Sequence, residues 1–279
     1  MEIGKYNEME VLRDTSSGLF LGDDKGLDVL LPGKYIPPGT QVGDTLRVFI
    51  YRDSEDRPVA TTEEPKILLH QFALLKAVMV NEFGAFLDWG LEKHLFVPYR
   101  EQLLKMVEER FYLVYMYLDE QTDRLVASAK LNRFLNNDDL DLRTGDEVDL
   151  IVWTQTDLGM NVIVNNRYKG LLYANELFAQ IRPGDRMKGY VKNIREDNKM
   201  DITLQKQGFE NIEPNAARIL DILKSNGGFL GLNDNSSPNE IASQLEISKK
   251  TFKKAIGTLY RKKLIVLEEA GIRLAEKAD

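Results

Sequence analysis

Leu46 to Thr62 reads LRVFIYRDSEDRPVATT, and Phe111 to Ala127 reads FYLVYMYLDEQTDRLVA. Each is an alternating apolar strand, an acidic turn (Asp53 to Asp56, Asp119 to Asp123) and a second short strand, which is the pattern of a β-hairpin. A third copy, Met187 to Leu204, reads MKGYVKNIREDNKMDITL, with Asp197 and Asn198 in its turn. Ahead of the three hairpins stand Gly43-Asp44, Glu108-Glu109 and Gly184-Asp185. Further upstream each copy has a glycine, a short strand and a second apolar strand: GLFLGDDKGLDVLLP from Gly18, GAFLDWGLEKHLFVP from Gly84 and GMNVIVNNRYKGLLY from Gly159. Each unit is thus about 65 residues with some five short strands, and a unit repeated in this way predicts three small closed or nearly closed barrels in series.

Boundaries are expected near Glu64-Pro65, in the polar run Asn136-Asn137-Asp138-Asp139 and near Glu213-Pro214, giving barrels over 1–65, 66–136 and 140–210 and a last unit over 213–279. Beyond Pro214 the hydrophobic period changes from about two to about 3.6. Ala216, Ile219, Leu220 and Leu223 form one helical face that stops at Asn226-Gly227-Gly228. A second helix begins at Ser237-Pro238-Asn239-Glu240, a capping box with proline in the first turn, and ends near Leu245. Ser248 caps a third, whose buried face is Phe252, Ile256 and Leu259. Leu264 to Leu267 and Gly271 to Leu274 then flank an acidic turn and make a wing. The pattern therefore gives a fold class that is mainly β with a C-terminal α+β domain, three tandem small barrels followed by a winged helix-turn-helix; that the barrels are of the OB-fold type is what the resemblance of the middle unit implies.

The middle unit carries a resemblance. From Val78 through Asn81-Glu82-Phe83-Gly84-Ala85-Phe86-Leu87-Asp88 to Leu95-Phe96-Val97-Pro98 it resembles the RNA-binding OB domain named after ribosomal protein S-one. Three such barrels followed by a winged helix resemble, along essentially the whole chain, the conserved virulence factor B family of bacterial proteins. That resemblance implies a post-transcriptional regulator of gene expression and a binding face at Phe83, Phe86 and Pro98 or Tyr99. Proline stands where many such domains place histidine.

The composition sets bounds. Hydrophobic residues make up 43% and charged residues 29%, enough apolar material for packed cores. There is no cysteine, which excludes disulfides, thiolate nucleophiles and thiolate metal sites. The polar N-terminal residues and the lack of a long apolar run point to a cytoplasmic protein with no membrane partner. The net charge of -7 disfavours contact with phosphate unless charge is segregated, and it is. Met1 to Leu142 holds 16 basic and 25 acidic side chains, Arg143 to Gln205 holds 9 of each, and Lys206 to Asp279 holds 12 and 10.

Alternation along the second strand of the middle unit puts Phe86 and Asp88 on one face and Ala85, Leu87 and Trp89 on the other. In an OB barrel single-stranded nucleic acid crosses strands two and three, where rings stack on bases. A phenylalanine in a barrel strand is more often core, and only the motif argues otherwise for Phe83 and Phe86. Asp88 adds an unhelpful negative charge. The equivalent positions of the third unit are Leu158, Asn161 and Tyr173, with Arg167, Lys169, Lys188, Lys192 and Arg195 nearby in sequence, a set suited to phosphate. The first unit offers Phe20 and Tyr35 among acids and reads as a structural or partner-binding copy. In the last unit Lys249, Lys250, Lys253, Lys254 and Arg261 lie on the third helix, and no acidic residue occurs from Ile247 to Leu267. Such a run is either a solvated face or the helix that enters a groove.

No Gly-x-Ser-x-Gly elbow, phosphate loop or His-Glu-x-x-His helix occurs, and His70 and His94 match no motif. Asp138-Asp139-Leu140-Asp141 does not have calcium-loop spacing. The expected protein is not an enzyme, holds no cofactor or metal, and has single-stranded RNA as its partner. Two alternatives stand beside it: a winged-helix transcription factor on duplex DNA, and a ribosome-associated scaffold.

Overall fold

The computed structural model describes residues 1–23, 26–174, 181–205 and 214–275. The boundary expected near Glu213-Pro214 falls at residues 206–213, outside the described residues.

The first barrel consists of β1 (Tyr6–Thr15), β2 (Gly18–Gly22), β3 (Asp28–Pro32), β4 (Thr45–Arg52) and β5 (Pro58–Thr61). The second contains β6 (Phe72–Val80), β7 (Gly84–Asp88), β8 (Leu95–Pro98), β9 (Phe111–Asp119) and β10 (Arg124–Ser128). The third contains β11 (Glu147–Thr156), β12 (Gly159–Val164), β13 (Tyr168–Tyr173), β14 (Arg186–Ile194) and β15 (Met200–Thr203). All three close in one order, first strand to second to third to fifth to fourth. The third and fifth strands pair in parallel, as at Leu30 with Val59, Phe96 with Val126 and Gly170 with Met200.

Closure comes from one device used three times. The first strand of each barrel carries a β-bulge, between Val11 and Arg13, between Ala77 and Met79, and between Val152 and Thr154. A bulge bends a strand and sharpens its twist, so a short sheet can meet itself. The residues ahead of each hairpin hold the bulge: Val11 N–H donates to Asp44 O, Ala77 N–H to Arg110 O and Val152 N–H to Asp185 O, at 2.8, 2.9 and 2.9 Å. The recurring glycine has an equally direct cause. A Cβ on Gly18, Gly84 or Gly159 would lie 2.1, 2.3 or 2.0 Å from the carbonyl oxygen of Leu31, Val97 or Leu172, so only glycine lets the second strand meet the third.

The first two barrels share a core. Phe49, Tyr51 and Val59 of the first pack with Ile67, Leu87, Trp89 and Leu95 of the second. Trp89 is 3% exposed and meets Phe49 and Tyr51 edge to face, ring centroids 5.7 and 6.2 Å apart. The second and third barrels are joined through Phe72, Leu131, Ile151 and Ile163. Asn166 donates to His70 O and accepts from Phe72 N–H, at 2.7 and 3.1 Å, and Arg186 donates to Phe72 O at 2.6 Å. Asn136 and Asn137, expected in a linker, are hydrogen-bonded into the third barrel: Asn137 donates to Lys169 O and Asn198 O and accepts from Lys169 N–H, at 2.8, 2.9 and 2.8 Å.

A separate compact unit contains the winged helix: α1 (Pro214–Ser225), β16 (Phe229–Leu230), α2 (Pro238–Leu245), α3 (Lys249–Arg261), β17 (Ile265–Glu268) and β18 (Gly271–Leu274). The capping box at Ser237 and Glu240 is present, and Ser248 caps α3. Ala216, Ile219, Leu220, Leu223, Phe252, Ile256 and Leu259 are all buried, as their spacing predicts. Two details differ from expectation. Phe229 and Leu230 add a third strand, giving the order β16-β18-β17, and Glu268 belongs to the wing strand, which shortens the turn to Glu269 and Ala270.

Candidate nucleic-acid interface

The outer face of β7 and β8 carries exposed and half-buried aromatic rings. Ala85 and Leu87 are fully buried while Phe86 and Asp88 stand outside, as alternation requires. Phe86 lies directly across from Phe96 in the β7–β8 register, with ring centroids 5.0 Å apart and planes tilted by 38°. Phe83 sits at the preceding turn, 66% exposed, and the turn is fixed because Asn81 Oδ1 accepts from Phe83 N–H at 2.9 Å and Gly84 N–H at 3.3 Å. Tyr99 closes the same end: its hydroxyl donates to Asn81 O at 2.6 Å. Lys105 Nζ lies 5.6 Å from the Tyr99 ring centroid.

Phe83, Phe86 and Phe96 line a groove of about 960 Å³, with Met79 and Pro98 beside them and Arg100 and Arg124 among its cations. Asp88, the negative charge expected on this face, has a partner. Lys66 forms an ion pair with it and, with the Gly90 N–H, holds its carboxyl below the usual aspartate range. Among the described residues, the side chains lining this groove that sequence reading passed over are chiefly Phe96, Arg100 and Arg124. Phe96 was legible, because alternation through Leu95-Phe96-Val97 turns it outward; the arginines reach the groove only through the way the turns fold over.

In the third barrel Leu158 is 61% exposed and Asn161 is half-buried. Tyr173 and Arg195 do come together, but around the largely buried Asp201. Arg195 pairs with that carboxylate at 2.7 Å and also donates to the Tyr173 hydroxyl. Asp201 raises the guanidinium pKa further. Arg167 lies 3.6 Å from Asp141 and over the Tyr168 ring, Lys169 lies 5.4 Å from the Trp153 ring centroid, and Lys188 pairs with Asp149 at 2.8 Å. Lys188 and Lys192 share a face of β14 by alternation. Several of the cations expected to meet phosphate here thus already face carboxylates.

On α3 the side chains of Lys250, Lys253, Lys254 and Arg261 are exposed and Lys249 is half-buried. Lys253 lies 4.0 Å from Asp234, and Lys249 Nζ donates to Asn235 O at 3.4 Å. The first turn of α3 has no acidic residue. Lysines at the positive end of a helix dipole oppose it, so this turn gives up helix stability and concentrates positive potential.

Comparison with known proteins agrees with this anatomy. Residues 3–63 match the S1 domain model and residues 217–274 match the CvfB-like winged helix domain. The S1 match therefore falls on the first barrel, whereas the motif legible in the sequence lies in the second. Both are nucleic-acid-binding domain types, and neither is a catalytic family. Conserved virulence factor B of Staphylococcus epidermidis is 24% identical over 245 residues, covering 85% of this chain and 82% of that protein. The protein YitL of Bacillus subtilis is 24% identical over 268 residues, covering 94% and 90%. The crystal structure of a multidomain protein with nucleic acid binding domains from Streptococcus pneumoniae shares 26% identity, covers 98% of both chains and superposes with a TM-score of 0.45. Among the described residues no helix is long and apolar enough to cross a membrane, and no group of three or more metal-ligating side chains is gathered. With a match to the S1 domain at one end, a match to the CvfB-like winged helix at the other and 24% identity along 85% of its length, the chain is similar to the conserved virulence factor B proteins.

Proposed function

We propose that this chain binds single-stranded RNA across β7 and β8 of the second barrel and acts in the cytoplasm as a post-transcriptional regulator. The observation that carries the reading is the pair of rings, Phe86 and Phe96, side by side on the outer face with Phe83 at the turn. Flat rings on an open barrel face offer stacking surfaces that paired bases, already stacked in a duplex, cannot use. Each base stacked on an aromatic ring contributes about 1–3 kcal/mol. The lysines of α3 supply a phosphate-directed surface in the same chain, which adds to affinity through effective concentration.

Anisotropy titration of a labelled single-stranded RNA over a salt series tests this. Phe86→Ala or Phe96→Ala should weaken binding about tenfold or more with an unchanged salt slope, since stacking releases no counterions. Alanine at Lys192, Lys253 and Lys254 should flatten the slope by about 0.7 for each phosphate no longer neutralised. Arg195 is left out of that set because its removal would leave Asp201 buried without its partner.

A duplex-DNA reading draws on the acid-free first turn of α3. If duplex DNA displaces the RNA more readily than unlabelled RNA does, that reading replaces this one.

A further inference from the structure

The groove over the second barrel is not built by that barrel alone. Tyr51, Arg52, Asp53 and Ser54, at the β4–β5 hairpin of the first barrel, line it as well. In OB folds the loop between the fourth and fifth strands borders the bound strand. Here that loop is the β9–β10 turn, and the first barrel holds it through a reciprocal exchange of charge. Arg52 pairs with Asp123 and also donates through Nε to the Asp123 carbonyl at 2.8 Å, while Asp56 pairs with Arg124. Lys93, on the loop between β7 and β8, donates to Asp53 O at 2.5 Å and lies 3.6 Å from Asp56. One hairpin of the first barrel is therefore tied to two loops that flank the aromatic face.

We infer that the nucleic-acid site is a composite of two barrels. The first barrel forms one wall and, through the Arg52–Asp123 and Asp56–Arg124 pairs, fixes the β9–β10 turn against the strand that binds. Arg52, Asp56, Asp123 and Arg124 are positioning residues. This rests on the reading that the β7–β8 face binds single-stranded RNA. It assigns the acidic first barrel a task that its charge alone hides, because its carboxylates at this edge meet arginines rather than the ligand.

The test is a charge swap in the full chain, with a fluorescein-labelled oligouridylate of about 12 nucleotides, within the site size of OB folds. Arg52→Glu sets two carboxylates against each other and should weaken binding about tenfold, in the range by which contacting charged neighbours couple. Arg52→Glu with Asp123→Arg should recover wild-type affinity to within about threefold, with the salt slope unchanged in both. The clamp is overturned if Arg52→Glu binds as wild type does, if the swap stays as weak as the single variant, or if the slope drops by about 0.7, which marks an arginine on phosphate. Asp56→Arg with Arg124→Glu gives an independent cycle should the first single variant fail to fold. Phe86→Ala separates the two levels of the argument. If it weakens binding while both cycles show no coupling, only the composite groove fails; if it binds as wild type does, the reading of the face itself fails.

Discussion

Trp89→Ala should destabilise two barrels at once. The indole is 3% exposed, it meets Phe49 and Tyr51 edge to face, and its Nε1–H donates to Lys93 O at 2.5 Å. Truncating a buried tryptophan costs about 3–5 kcal/mol. Edge-to-face pairs add about 0.5–1.5 kcal/mol each beyond buried area, so losing two puts this site near the upper end, about 5 kcal/mol. That approaches the whole stability of a marginal domain, about 5–15 kcal/mol. Because Phe49 and Tyr51 belong to β4, the loss falls on the first barrel as much as on the second. Hydrogen exchange read by mass spectrometry is the assay, with the wild-type chain as the reference. Amides of both β4 and β7 should lose protection together. If β6 to β10 exchange faster while β1 to β5 keep their wild-type protection, the shared core does not couple the barrels and the reasoning fails.

Two further outcomes follow from local geometry. Gly84→Ala places a Cβ 2.3 Å from the Val97 carbonyl oxygen, in backbone that cannot yield as a side chain would; it should cost at least about 2 kcal/mol in urea unfolding and lower RNA affinity by parting β7 from β8. Lys66 holds the Asp88 carboxyl below its usual range, so this pair contributes stability above the ordinary aspartate pKa, about 3.9, and loses it as pH falls through the depressed folded value. The melting temperature of Asp88→Asn should accordingly lie below wild type at pH 7 and converge on it in acid.

The barrels were legible because their hairpins repeat, and the winged helix because its caps and 3.6-residue period are explicit. The bulges were not. Leu12, Val78 and Trp153 each directly follow another apolar residue, and nothing in those runs marks which residue is the surplus one that closing the ring requires. Phe229-Leu230 is too short for any period to mark it as a strand. At the site, the outward placement of Phe83 and Phe86 could be read from their spacing. The neutralisation of Asp88 by Lys66 could not, since 22 residues separate them. Arg195 shows the same limit from the other side: as one of a string of cations it reads as phosphate-binding, yet its partner is the largely buried Asp201. Charge counts along a chain report where ions are, whereas folding decides which of them are already spent on one another.

The asparagines between the second and third barrels have a consequence for length. Asn137 stitches the connector to the edge of the third barrel, and Asn166 stitches that barrel back to Phe72 and His70, so this junction has little slack. A tether of loose residues would let two faces search for one another along a strand of any span. A stitched one works as a ruler: for an RNA that meets both faces, the spacing between its two points of attachment is set by the protein and not by the RNA.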